Sequence, residues 1–213
     1  MFEEVGIRPE LYTRPKITTV LRENEGIVYP VEKPRAVSEF LYLALKGLSP
    51  ANIVALAPDW AEIEALRRTF PRARISGITG NANEELMTAA RDANALLLQG
   101  ELVRLGEDSS LPIEKTGVPD LVLVRNPLVT QNEGWRIALP FFAKKVATHG
   151  GTMLISTQTL EDAKVAESML LQGGIRTAEG RLNKYRYLNG YISGLGNGTP
   201  ILKADSYFLR LGQ

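Results

Sequence analysis

From residue 52 onward, short unbroken apolar runs alternate with longer segments whose apolar positions recur every three or four residues. The runs are "NIVALA" (52–57), "RISGIT" (74–79), "ALLLQG" (95–100), "DLVLV" (120–124) and "GTMLIST" (151–157). Runs this short, with little polar alternation, predict strands covered on both faces, as in a parallel sheet. Between them, "WAEIEALRRTF" (60–70), "NEELMTAARDA" (83–93), "EGWRIALPFFAKKVA" (133–147) and "LEDAKVAESMLLQGG" (160–174) predict helices. Pro140 is expected to kink the third of these or to mark its boundary. The stretch "GEDSSLPIEKTGVP" (106–119) reads as a loop. Ahead of the first strand, "RAVSEFLYLALKGLS" (35–49) sets Val37, Phe40, Leu41, Ala44, Leu45 and Leu48 at helical spacing, and Gly47 and Pro50 mark its end.

Strands alternating with helices predict βαβ units and a parallel sheet with helices on both faces. The tail from Ile175 reads as β only, with turn chemistry at "LGNGTP" (195–200), which predicts a hairpin added to one sheet edge. Residues 1–34 carry Pro9, Pro15, Pro30 and Pro34 without sustained periodicity. They are expected to form an N-terminal arm, with one short strand at "GIVYPV" (26–31), laid over a single domain spanning 35–213.

Composition narrows the chemistry. The 213 residues are 44% hydrophobic and 23% charged with a net charge of +1, the balance of a folded globular chain. That charge gives no broad field for nucleic acid or anionic membrane. There is no cysteine and one histidine, so disulfides, thiolate metal sites, a cysteine nucleophile and multi-histidine zinc sites are excluded, and no metal is expected. No apolar leader segment opens the sequence, and its apolar runs fall well short of the roughly 18–20 residues that span a bilayer. A cytoplasmic protein without membrane contact is expected. The segment "RLNKYRYLNGY" (181–191) interleaves Lys184 and Arg186 with Tyr185, Tyr187 and Tyr191. Such a strand can stack bases and meet phosphates. Period-two alternation in a half-exposed hairpin gives the same pattern, and the near-neutral charge favours that reading.

The order of elements over about residues 36–211 resembles the class I S-adenosylmethionine-dependent methyltransferase fold, with five βα units followed by a terminal hairpin whose last strand is antiparallel. "NIVALAPDWAEIEALRRTFPRARISGIT" is similar to that family's first strand, glycine-rich loop, helix and second strand. "PDLVLVRNPLV" resembles its fourth strand and substrate loop, and "HGGTMLIST" the turn into its fifth strand. The resemblance implies a mostly parallel, seven-stranded Rossmann-like sheet and S-adenosylmethionine as cofactor.

It also implies where the cofactor contacts would fall. The family's first strand leads into an acidic residue and a glycine-rich turn, which lets backbone approach the cofactor closely. The matching positions here are Ala55, Ala57, Asp59 and Ala61, none of them glycine, with Pro58 and Trp60 stiffening and filling the turn. Asp59 reads equally as the cap of the next helix. The family ends its second strand in a carboxylate that accepts from both ribose hydroxyls, and Thr79 stands there instead. Glu101 follows the third strand near the family's adenine contact, and is otherwise a solvated loop carboxylate. After the fourth strand, Arg125, Asn126 and Pro127 lie at the carboxyl edge, where open α/β sheets bind ligands. Asn126-Pro127 partly resembles the methylation-site signature of amino- and amide-methylating relatives, although Leu128 and Val129 replace its aromatic ending. Arg125 is a candidate for an anionic ligand, or for an ion pair or cap. His149 lies at the other end of the sheet and is not expected to act as a base.

Two functions follow from these residues. One is a methyltransferase-like domain with a degenerate cofactor site and a binding or scaffolding role toward a protein or small-molecule partner. The other is an active methyltransferase with an atypical pocket, Arg125 and Asn126 orienting the acceptor.

Overall fold

The computed structural model describes residues 33–100, 111–127, 129–130, 132–175, 179–182, 190–192, 201–203 and 207–212. The elements run α1 (Lys33–Ala44), β1 (Asn52–Leu56), α2 (Trp60–Thr69), β2 (Arg74–Thr79), α3 (Glu84–Asp92), β3 (Leu96–Gln99), α4 (Leu111–Thr116), β4 (Leu121–Arg125), α5 (Trp135–Thr148), β5 (Thr152–Thr157) and α6 (Leu160–Gln172). Four strands close the chain: β6 (Glu179–Leu182), β7 (Gly190–Ile192), β8 (Ile201–Lys203) and β9 (Tyr207–Leu211). The "GIVYPV" strand, the "LGNGTP" turn, most of "RLNKYRYLNGY" and Glu101 lie outside the described residues. Helix α1 begins at Lys33, with Pro34 in its first turn, where proline's missing N–H costs nothing.

The main sheet has the order β3-β2-β1-β4-β5-β9-β6. Strands β1 to β5 pair in parallel, and β9 runs antiparallel to both β5 and β6. A separate β7–β8 ribbon is also antiparallel. The architecture is therefore mostly parallel α/β with an antiparallel C-terminal hairpin pattern. Strands β4 and β5 are buried along their whole length, and β1 is buried except at Asn52, which is what doubly covered parallel strands require. Alternate residues serve two cores. Val54, Leu56, Val122 and Val124 face a cluster with Leu139, Phe142 and Leu170 of α5 and α6. Ile53, Ala55, Leu121 and Leu123 face one with Phe40, Leu41, Ile63 and Leu66 of α1 and α2. Each such fully buried aliphatic side chain contributes about 1.5–3 kcal/mol.

One expectation is corrected. The stretch 106–119 is not all loop, because α4 forms within it; a six-residue helix is too short to show a 3.6-residue period. Of the two effects expected of Pro140, it does not bound α5, which continues through it to Thr148. The helix is held by apolar burial: Ala138, Leu139, Phe142 and Ala143 around the proline are all buried.

The chain order places β2 and β3 on one side of β1, and β4 and β5 on the other. The carboxyl ends of β1 and β4 thus meet at the point where strand order reverses, the place where open α/β sheets form a ligand crevice.

Candidate functional site

At that crevice both central strands end in a left-handed non-glycine residue, Ala57 (φ +48°) after β1 and Asn126 (φ +47°) after β4. Ala57 follows the course a glycine would take, at a cost of roughly 1–2 kcal/mol for the Cβ. The turn after β1 thus retains a left-handed bend without glycine. Its exposed alanine is fixed by a backbone bond, Ala57 N–H donating to the Ile78 carbonyl of β2 at 2.7 Å.

The rest of the turn packs inward. Pro58 is buried and leans onto β2, where a Cβ added at Gly77 would stand 3.1 Å from Pro58 Cγ and 2.7 Å from Leu97 Cδ2. Gly77 thereby makes room for the proline ring. Asp59 then caps α2 in a reciprocal capping box. Its carboxylate accepts from Glu62 N–H at 2.9 Å, and Glu62 Oε2 accepts from Asp59 N–H at 3.3 Å. Ile63 N–H donates to the Asp59 carbonyl at 3.3 Å. The N–H groups of Ala57, Asp59, Glu62 and Ile63 are all engaged within the chain, and Pro58 has none.

Glu62 has a second partner. Its Oε1 accepts from Arg125 Nη1 at 2.9 Å, and the two side chains are 6% and 2% exposed. Parallel pairing of β1 with β4 sets the end of β4 beside the β1 turn, and the β4 alternation turns Arg125 toward the α2 face. A charge this deep is expelled unless it is paired and hydrogen-bonded. The Glu62 carboxylate spans both requirements, one oxygen toward the guanidinium and the other toward the helix N-terminus. Of the sequence readings of Arg125, an anionic-ligand contact or an ion pair or cap, the structure shows a buried ion pair.

The remaining candidates separate. Thr79 is buried, and its hydroxyl donates to the Asn81 carbonyl at 3.0 Å while accepting from Asn81 N–H at 3.2 Å, so both of its functions serve a local turn. Ala55 is a core residue of β1 and Ala61 of α2. Asn126 N–H donates to the Ser156 carbonyl of β5 at 2.7 Å, while its buried Oδ1 has no hydrogen-bond partner. Among the described residues that amide oxygen meets no donor, and a buried acceptor in that state costs about 1–3 kcal/mol. His149 caps α5, its Nδ1 2.9 Å from the Lys145 carbonyl, at the amino end of the sheet.

The crevice thus gathers Ala57, Asp59, Glu62, Thr79, Arg125 and Asn126, with Glu62 the member that sequence reasoning overlooked. Its signal was present as "DWAE" (59–62), an acidic cap followed three residues later by Glu. Among the described residues no group of three or more His, Asp or Glu is placed to hold a metal ion. Trp60 turns outward and lines a groove of about 380 Å³ between α2 and α3 with Glu64, Glu84, Glu85 and Asp92.

No protein-family model matches the sequence, and no curated protein matches it. Solved structures do. The chain aligns with that of a fibrillarin/Nop5p complex at a TM-score of 0.53 and 15% identity, over 83% of this chain and 81% of that one. It aligns with EvdMO1 at a TM-score of 0.50 and 20% identity, over 88% of this chain and 42% of that one, so it spans less than half of that protein's length. A TehB-like SAM-dependent methyltransferase from Corynebacterium glutamicum aligns at a TM-score of 0.49 and 12% identity, over 82% and 85% of the two chains. At these identities the likeness is one of fold. That fold is a Rossmann-like α/β sheet with the antiparallel C-terminal hairpin expected from the sequence.

Proposed function

We propose that the chain is a methyltransferase-like domain whose S-adenosylmethionine site is degenerate, and that it acts as a cytoplasmic binding or scaffolding module for a protein or small-molecule partner. The observation that carries this reading is the Glu62 carboxylate at the crevice. The protein supplies its own anion to the N-terminus of α2 and to Arg125, the two groups best suited to hold an anionic ligand part. The residues present do not fit the cofactor. The N–H groups of Ala57, Asp59, Glu62 and Ile63 are engaged, Pro58 fills the space over Gly77, and β2 ends in Thr79, whose hydroxyl is bonded to Asn81, in place of a carboxylate to accept from ribose hydroxyls.

Two observations favour the second reading, an active methyltransferase with an atypical pocket. Ala57 keeps the left-handed bend of a glycine turn, and the orphaned Asn126 Oδ1 is an acceptor waiting for a donor at the carboxyl edge of β4. In that case Asn126 would orient an acceptor N–H or O–H, and Arg125 would hold the β4 end in place through Glu62.

Isothermal titration calorimetry separates the two. With S-adenosylmethionine or S-adenosylhomocysteine at millimolar concentration, no saturable heat is expected. A one-site isotherm with a dissociation constant below about 100 μM, about 5.5 kcal/mol of binding, would establish the second reading.

A further inference from the structure

The opposite, amino-terminal edge of the sheet holds a cavity of about 480 Å³, none of whose lining residues belongs to the crevice described above. The end of α1 and the loop into β1 form one wall, and the end of α2 with the loop into β2 forms the other. Its apolar part comes from Leu45, which is buried, and from Leu48 and Phe70, which are half-buried. Its polar part is Tyr42, Lys46, Ser49, Thr69 and Arg72, with the Thr69 hydroxyl donating to the Ala65 carbonyl at 2.8 Å. Among the described residues no acidic side chain lines it, and none of the other four makes a hydrogen bond or ion pair through its side chain.

The charge balance is one-sided. Lys46 and Arg72 stand just past the C-termini of α1 and α2, where each complements a helix dipole. A helix C-terminus carries only about half a negative charge, so two full cations against two such ends leave roughly one net positive charge at the mouth. Two cations and two hydroxyl donors over an apolar floor, with no carboxylate among the described residues, match a ligand that is anionic at one end and apolar along its body. The volume falls in the usual range for small-molecule sites, about 300–1,000 Å³.

We infer that this cavity binds a small amphiphilic anion, its carboxylate- or phosphate-type head between Lys46 and Arg72 and its apolar body against Leu45, Leu48 and Phe70. The site is independent of whether the crevice at the other end of the sheet holds a cofactor.

The test uses the full chain and the fluorescent anion 8-anilinonaphthalene-1-sulfonate. One saturable site per chain is expected, weakening at least about tenfold in the Lys46→Glu/Arg72→Glu double variant through loss of charge-assisted contacts. A control pair, Arg91→Glu/Arg136→Glu, makes the same change in net charge on exposed positions elsewhere and is expected to leave binding within about twofold. The uncharged analogue N-phenyl-1-naphthylamine is expected to bind at least about tenfold more weakly than the sulfonate. Thermal unfolding of both variants checks that they fold, as expected for exposed positions. Displacement by decanoate assigns a carboxylate head and displacement by 1-naphthyl phosphate a phosphate head. Equal loss in the control pair, equal binding of the neutral analogue, or displacement by neither competitor overturns the inference.

Discussion

Removing Arg125 tests the role assigned to the Glu62–Arg125 pair most sharply. Arg125→Met keeps an unbranched apolar stem and removes the guanidinium that faces the Glu62 carboxylate, 6% exposed. Glu62→Gln does the reverse, retaining an acceptor for Asp59 N–H while removing the negative charge that faces the buried guanidinium. Breaking a buried pair from one side costs about 3–5 kcal/mol, because a charge is left uncompensated in a poorly solvated place. For a chain of this size each kcal/mol is about 2–4 °C in Tm, so each single variant should melt roughly 6–20 °C lower. The double variant removes both charges and should lose much less than the sum of the two. Urea unfolding followed by the fluorescence of Trp60 and Trp135 measures all three free energies. Single costs below about 1 kcal/mol, or costs that add within about 0.5 kcal/mol, would refute the pairing.

Other substitutions test neighbouring claims. Ala57→Gly should leave stability unchanged or raise it by up to about 1 kcal/mol, the relief of the left-handed Cβ outweighing the extra freedom of the unfolded chain, whereas Ala57→Val should lower it. A urea midpoint that falls for glycine would contradict the strain at that turn. Gly77→Ala should cost about 1–3 kcal/mol through its clash with Leu97 and Pro58, read from the same unfolding curves. Arg67 donates to the carbonyls of Pro71, Ala73, Ala93 and Asn94, tying the ends of α2 and α3 together; Arg67→Ala should cost about 2–4 kcal/mol, with little recovery in Arg67→Lys. Burial raises the Glu39 carboxyl above its ordinary 4.5, against the opposing pull of Arg35. A raised acid holds its proton more tightly in the folded state, so its contribution is fully present below pH 4.5 and is lost as pH rises through the folded value. Glu39→Gln should therefore stabilise the fold at pH 7 and lose that advantage toward pH 4; an advantage that grows on acidification would reverse the sign.

The five parallel strands and the helices between them were legible because burial on both faces leaves unbroken apolar runs such as "LVLV" (121–124). Helix α4 was not, since six residues beginning "LP" carry no period. The helix over 133–147 was legible from its apolar spacing, and the structure excludes the boundary that Pro140 could have set there. At the site, Asp59 was readable as a cap, and Thr79 as a hydroxyl where the resembled family has a carboxylate. The link between Glu62 and Arg125 joins residues 63 positions apart and exists only because β4 pairs with β1. The left-handed bend at Ala57 was equally hidden, since nothing local in "ALAPDW" calls for a positive φ at alanine.

The central claim concerns the cofactor, and thermal unfolding with and without S-adenosylhomocysteine tests it most directly. A ligand present at a hundredfold excess over its dissociation constant stabilises the folded state by about 2.7 kcal/mol, which here is roughly 5–11 °C in Tm. With the ligand at 1 mM, the account predicts a shift of less than about 1 °C, since a weaker site gains little by mass action. A shift of several degrees that disappears in Ala57→Trp, at the mouth of the crevice, would contradict it.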